Sequence, residues 1–171
     1  LEAGGDRGHF LSDDLDSQVG TFALLPQIVR AVRVPVIAAG GIADAAGVAA
    51  ARSLGAVGAP VGTAYLLCPE ATTSAVHRQA LTTDAGESTV LTNLFTGRPA
   101  RGIRNRLMRE LGAMRSDVPA FPLAAGAVSP LRGKAEAQGS GDFSPLWAGQ
   151  NTTGCRAVPA PDITRELARG W

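Results

Sequence analysis

Two short apolar runs that end in glycine have the residue types and spacing best suited to chemistry. Val34–Ile42 contains the pair Gly40-Gly41, and Ala59–Ala64 contains Gly62. Because glycine has no Cβ, the backbone amides at such a strand end can approach an anion closely and point at it together. Two such strand ends, side by side in a parallel sheet, predict a phosphate-binding site built mainly from backbone N–H groups.

The overall composition predicts a globular protein without a nucleic-acid or membrane partner. The chain has 171 residues, of which 45% are apolar and 21 are glycine, so it can bury a sizeable core. Its 16 basic and 15 acidic residues give a formal charge of +1 without a Lys/Arg block. No apolar run reaches the roughly 20 residues that cross a bilayer, and no signal peptide opens the chain. We expect a cytoplasmic location.

The cysteines and histidines form neither a disulfide framework nor a metal-ligand pattern. Cys68 and Cys155 lie in unrelated surroundings, and His9 and His77 have no acidic partners at ligand spacing. We therefore predict no metal site, a packed Cys68 thiol, and a solvated helix position for His77.

Apolar periodicity in the first half predicts alternating helices and strands. The predicted elements are a helix over 22–33 with Pro26 in its first turn, a strand over 34–39, a helix over 44–54 capped by Asp44, a strand over 57–62, a helix over 70–81 and a strand over 88–92. This order is typical of a parallel sheet with right-handed crossovers.

The alternation ends after Gly102. Helices are predicted over 103–111, 131–138 and 162–169, with a Pro-, Ala- and Gly-rich segment over 116–130 and a polar connection over 139–154. About four strands suit half of a (β/α)₈ barrel, since a complete barrel takes about 250 residues. We therefore predict an α/β fold, the carboxyl-terminal half of a TIM barrel. Residues 1–171 would belong to one barrel domain, with a helical and loop insertion at 103–150.

Six segments, in order along nearly the whole chain, add more specific information. They are Glu2–Gly5, Leu24–Gln27, Val36–Asp44, Gly62–Leu66, Thr96–Gly102 and Trp147–Gln150. Together they resemble the nitronate monooxygenase family, formerly called 2-nitropropane dioxygenase. The resemblance implies a TIM-barrel flavoprotein that holds FMN without covalent attachment. It further implies oxidation of nitronates, the anions of nitroalkanes, with molecular oxygen.

The resemblance also implies contacts for FMN, position by position. The FMN phosphate would lie on Gly40 and Gly41 and on Val61, Gly62 and Thr63, with Ala3 and Gly4 near the flavin ring and Gln150 approaching from the carboxyl-terminal segment. These residues are the predicted cofactor site.

The chain departs from the family pattern at the expected catalytic base. Where the family has a histidine after the glycine pair, this chain has Asp6, and His9 follows three positions later. An aspartate with its ordinary pKa of about 3.9, against about 6.5 for histidine, is the weaker base unless it is buried. Its charge would also repel a preformed nitronate, although it could deprotonate a neutral nitroalkane. Asp6 and His9 are therefore the candidate catalytic residues.

Two alternatives remain open from the sequence. A flavin-dependent enoyl-acyl carrier protein reductase would share the glycine-terminated strands, but Thr96–Gly102, followed by Asn105-Arg106, and the Trp147–Gln150 segment favour the monooxygenase. The other alternative is a catalytically impaired FMN-binding barrel, because Asp6 replaces the family histidine.

Overall fold

The computed structural model describes residues 4–5 and 14–171, with the backbone alone at 84 and 85. Ala3, Asp6 and His9 lie outside the described residues. The chain divides into two compact units, one formed by the described residues up to Thr72 with Asn151–Trp171, and the other by Thr73–Gln150. The regular elements are α1 (Thr21–Ala31), α2 (Ala45–Ser53), α3 (Ala75–Leu81), β1 (Thr89–Thr92), β2 (Ala100–Ile103), α4 (Arg106–Leu111), α5 (Ala124–Glu136) and α6 (Ala160–Ala168), with short 3₁₀ turns at Leu15–Ser17, Thr63–Tyr65 and Asp84–Glu87. In this part of the chain no helix is long and apolar enough to cross a membrane.

The first unit contains the two predicted parallel segments as a short pair. Ile37 and Gly58 form a parallel bridge. The Ala38 N–H donates to the Gly58 carbonyl at 2.9 Å, and the Val57 N–H donates to the Val36 carbonyl at 2.8 Å. The parallel direction agrees with the prediction. The predicted lengths were wrong, because the pairing does not extend over all of 34–39 and 57–62. Pro35 and Pro60 lack the N–H that a longer ladder needs.

One face of this pair packs against helices. Ala38 is buried with Leu25 of α1 and Ala51 of α2. Side chains alternate across an extended segment, so Ile37 points to the opposite face, where it is 64% exposed and lies 3.6 Å from the position of a Cβ on Gly58.

The helices of the first unit begin and end close to their predicted positions. Asp44 caps α2 as predicted, because its Oδ1 accepts a hydrogen bond from the Gly47 N–H at 2.7 Å. Pro26 lies inside α1 rather than in its first turn, because the helix begins earlier, after Gly20. Helix α6 packs on α2, and Cys68 is fully buried in that cluster, as predicted.

The second unit is built on an antiparallel hairpin. β1 pairs with β2 from Thr89 opposite Ile103 to Thr92 opposite Ala100. The strand predicted over 88–92 therefore exists, but its assignment to a parallel sheet was wrong. Only residues 93–99 connect the two strands, whereas a parallel crossover needs about a dozen residues.

Three helices of the second unit have different bounds from those predicted. α3 begins at Ala75 instead of 70, because Ser74 is extended and its carbonyl accepts the first helical hydrogen bonds. α4 begins at Arg106 instead of 103, because Asn105 is extended and caps it, accepting from the Met108 N–H at 3.3 Å. α5 includes Ala124, well before the predicted start at 131, since the alanine-rich sequence there favours helix.

Candidate cofactor site

The two glycine segments follow the carboxyl ends of the parallel pair. The bridge between Ile37 and Gly58 is parallel, and Gly40-Gly41 and Gly62 come directly after it in their two segments. Both glycine turns therefore lie beyond the same end of the pair.

The turn at Gly40-Gly41 requires glycine. The φ angles are +108° at Gly40 and +76° at Gly41, a region that other residues rarely adopt. A Cβ on Gly40 would lie 3.1 Å from the Gly4 backbone nitrogen and 3.2 Å from the Thr21 Oγ1. The structure thus brings together two predicted cofactor residues, Gly4 and Gly40, in direct backbone proximity.

The second turn leaves space where a ligand could lie. Gly62 has an ordinary φ of −106° and precedes the 3₁₀ turn Thr63–Tyr65. Among the described atoms, none lies within 4 Å of the position that a Cβ on Gly62 would occupy. Val61 packs with the α2–α6 cluster, so only its backbone is available to a ligand. Glycine at position 62 is required neither by its backbone angle nor by a neighbour in this part of the chain.

A cavity of about 560 Å³ adjoins the first turn, a volume typical of small-molecule sites. Its lining consists of the glycine turn and residues near the start of α1 and along α2: Gly20, Thr21, Phe22, Ala23, Leu25, Gly40, Gly41, Ile42, Gly47, Ala50, Ala51 and Leu54. These residues are mostly apolar. The second turn, at Gly62, does not line this cavity.

A segment near the carboxyl terminus contacts both turns. The Asn151 Nδ2 donates to the Gly41 carbonyl at 3.5 Å, and the Cys155 Sγ donates to the Thr63 carbonyl at 3.0 Å. Burial, with a smaller contribution from Cys68, raises the pKa of the Cys155 thiol to about 11, so the thiol keeps its proton at neutral pH. Sequence reasoning missed Asn151 and Cys155, because their partners are backbone carbonyls that leave no motif.

Gln150 belongs to the second unit and is exposed there. Near it, Trp147 pairs antiparallel with Gly102 and packs edge-on against Phe95, with ring centroids 5.6 Å apart. These contacts fix the backbone just before Gln150. Its assignment to the cofactor stays a prediction.

His77 is not the solvated helix residue predicted from the sequence. Its Nε2 is buried and has no hydrogen-bond partner among the described residues. Burial lowers the pKa of His77, against a smaller raising effect from a backbone hydrogen bond with Trp147. The prediction was wrong because α3 turns this residue inward. Within residues 4–5 and 14–171, no cluster of three or more His, Cys, Asp or Glu side chains could hold a metal ion.

These features define an α/β protein whose glycine turns, at the ends of adjacent parallel segments, suit an anionic cofactor. The family model for nitronate monooxygenase matches residues 1–170, and the chain belongs to this family. The resemblance inferred from the six sequence segments is thereby confirmed.

Three similar proteins show the extent of the match. A nitronate monooxygenase from Pseudomonas aeruginosa is 39% identical over 168 residues, which cover 98% of this chain and 48% of the relative. The structure of a nitroalkane oxidase from Streptomyces ansochromogenes matches with a TM-score of 0.88 and 40% identity, over 98% of this chain and 48% of the other. FabK from Thermotoga maritima matches with a TM-score of 0.75 and 29% identity, over 99% and 51%. The chain spans about half the length of these proteins.

Proposed function

We propose that this chain is the carboxyl-terminal part of an FMN-dependent oxidoreductase that oxidises nitronates or nitroalkanes with molecular oxygen. The observation that carries the proposal is the pair of glycine turns that follow two parallel segments, in a chain that belongs to the nitronate monooxygenase family. A cytoplasmic location is part of the same proposal.

The residues present fit the phosphate end of FMN. The turn at Gly40-Gly41 has positive φ angles and carries no Cβ atoms, so an anion can approach its backbone closely. No atom of the described residues lies within 4 Å of a Cβ position on Gly62, which precedes a 3₁₀ turn whose first amides can point at an anion. In this proposal the backbone of Gly40, Gly41, Val61, Gly62 and Thr63 binds the phosphate, and no basic side chain is needed.

The flavin ring would lie near Ala3 and Gly4, and Gln150 stays a predicted cofactor residue. Gly4 supports this placement because its backbone lies against Gly40. The chemistry that bound FMN supplies is the removal of electrons from the substrate carbanion, with oxygen as the final acceptor. The protein's task is to hold the phosphate, to orient the substrate and to take up a proton.

Asp6 or His9 would carry the proton transfer. Asp6 occupies the position of the family histidine, and its carboxylate could deprotonate a neutral nitroalkane. Asp6→His restores the residue expected at this position. If nitronate-dependent oxygen uptake rises in this variant, the native chain is catalytically impaired. Unchanged turnover would assign the proton transfer to another residue, and His9→Ala is then the next variant to measure.

A reductase resembling FabK is the second candidate, favoured by the structural match at a TM-score of 0.75. The nitroalkane oxidase matches more closely, with a TM-score of 0.88 and higher identity. Anaerobic mixing of the flavin-loaded protein with NADPH separates the two. We expect the flavin absorbance to be lost slowly with NADPH and rapidly with a nitronate. The reverse order would assign the reductase function.

The exposed apolar face of the parallel pair supports the barrel proposal. Ile37 is 64% exposed on the face opposite the helices. In a barrel, one face of each strand packs on helices and the other faces the packed interior. We propose that the Ile37 side chain faces the interior of a closed TIM barrel.

A further inference from the structure

We propose that residues 151–155 form a strap whose side chains Asn151 and Cys155 position the two glycine turns for phosphate. The inference rests on the proposed function, because it concerns how the turns hold the FMN phosphate. Both residues act on backbone carbonyls and are positioning residues rather than contacts of the cofactor.

The Asn151 amide is held in one orientation. Its Oδ1 accepts hydrogen bonds from the Thr153 N–H at 3.1 Å and from the Thr153 hydroxyl at 2.7 Å. The oxygen is thereby fixed toward Thr153, and Nδ2 is left to face the Gly41 carbonyl at 3.5 Å. The bond to Gly41 is long, but the two bonds from Thr153 decide which end of the amide faces the turn.

Cys155 reaches the second turn with a proton donor. Its Sγ lies 3.0 Å from the Thr63 carbonyl, and this half-buried thiol is protonated at neutral pH. The neighbouring residue, Gly154, lies against Ala43, between the first turn and α2. A Cβ on Gly154 would lie 2.4 Å from the Ala43 carbonyl oxygen. Only glycine permits this approach, so the strap is held against both turns at once.

The geometry of the trans peptide explains how a carbonyl contact acts on a ligand site. The C=O of one residue and the N–H of the next point in opposite directions within the same plane. A hydrogen bond that holds the Gly41 carbonyl on the strap side therefore turns the Ile42 N–H to the other side. The Thr63 carbonyl also accepts the Leu66 N–H at 3.1 Å, so Cys155 adds a second bond that holds the Ala64 N–H on the other side in the same way. The strap thus fixes the peptide planes that follow Gly41 and Thr63, at the edge of the proposed phosphate site.

The effect should be specific to the phosphate. A net hydrogen bond of this kind contributes modestly, so loss of either donor should weaken FMN binding about threefold to tenfold. Riboflavin has the same ring system without the phosphate, so its affinity should not change. A merely structural role would weaken both ligands together and lower the melting temperature.

The experiment measures dissociation constants for FMN and riboflavin on protein made from the complete coding sequence. The variants are Asn151→Ala and Cys155→Ala, with Cys155→Ser as the conservative variant that keeps a donor. Arg156→Ala is the matched control, because it removes only the exposed ion pair with Glu166 beside the strap. We expect weaker FMN binding in the two alanine variants, and near-native FMN binding in Cys155→Ser and Arg156→Ala.

The outcomes separate this inference from the proposed function. If the unmodified protein does not bind FMN, the proposed function fails and the strap has no cofactor to serve. If the unmodified protein binds FMN and both alanine variants bind it equally well, the strap proposal is overturned while the function stands. Parallel losses of FMN affinity, riboflavin affinity and melting temperature would also overturn it, since they would show a general loss of structure.

Discussion

Gly62→Ala tests the phosphate site without disturbing the fold. The φ angle of −106° is accessible to alanine, and no described atom lies within 4 Å of the added methyl group. The free energy of unfolding should therefore stay within about 0.5 kcal/mol of the native value. If the FMN phosphate occupies this space, the methyl group displaces it from its amide donors.

The expected loss can be estimated from the contact removed. A hydrogen bond to a charged group contributes about 1.5–3 kcal/mol, so the dissociation constant for FMN should rise about 10- to 150-fold. Fluorescence quenching during FMN titration measures the constant, and urea denaturation measures the stability of the same preparation.

A matched control exists in the second unit. Gly126 in α5 likewise has no described atom within 4 Å of its Cβ position. Gly126→Ala should leave FMN binding unchanged and should stabilise the helix by about 0.5–1 kcal/mol. Native-like FMN affinity in Gly62→Ala, at unchanged stability, would refute the placement of the phosphate at Gly62.

Three further perturbations have defined outcomes. Gly40→Ala should lower the free energy of unfolding by at least about 1–2 kcal/mol, because it forces a side chain into φ +108° against Gly4; an unchanged urea midpoint would contradict this. Asp44→Ala should cost about 0.5–2 kcal/mol by removing the cap of α2, and Asp44→Ser should recover most of it in the same assay. Because folding lowers the pKa of His77 below its ordinary 6.5, the folded state binds fewer protons than the unfolded state, so stability should fall as pH drops below about 6.5. His77→Gln should reduce this loss between pH 7 and 5, and identical pH profiles for both proteins would exclude His77 as its source.

The sequence predicted the glycine turns because their requirements are local. Both runs carry small residues and glycine where a backbone must approach a ligand, and the parallel register then brings Gly40 and Gly62 to the same end. The prediction of long strands failed because Pro35 and Pro60 interrupt the ladder. That effect could have been foreseen from the missing N–H groups.

Other features depend on contacts between residues far apart in the chain. β1 was assigned to a parallel sheet because β2, its antiparallel partner, was not predicted. Gly97, in the connection between β1 and β2, has φ +88°, and a Cβ there would lie 2.4 Å from the Pro119 carbonyl oxygen. Neither this contact nor that of Cys155 with Thr63 has a local sequence signal. In each case the partner is a backbone carbonyl far away in the sequence.

The most direct test of the phosphate site is an FMN titration of protein made from the complete coding sequence. We expect a yellow protein that retains about one FMN per chain through gel filtration and binds FMN more tightly than riboflavin. A colourless protein that takes up no added FMN, or one that binds riboflavin equally well, would contradict the assignment of the glycine turns to the cofactor phosphate.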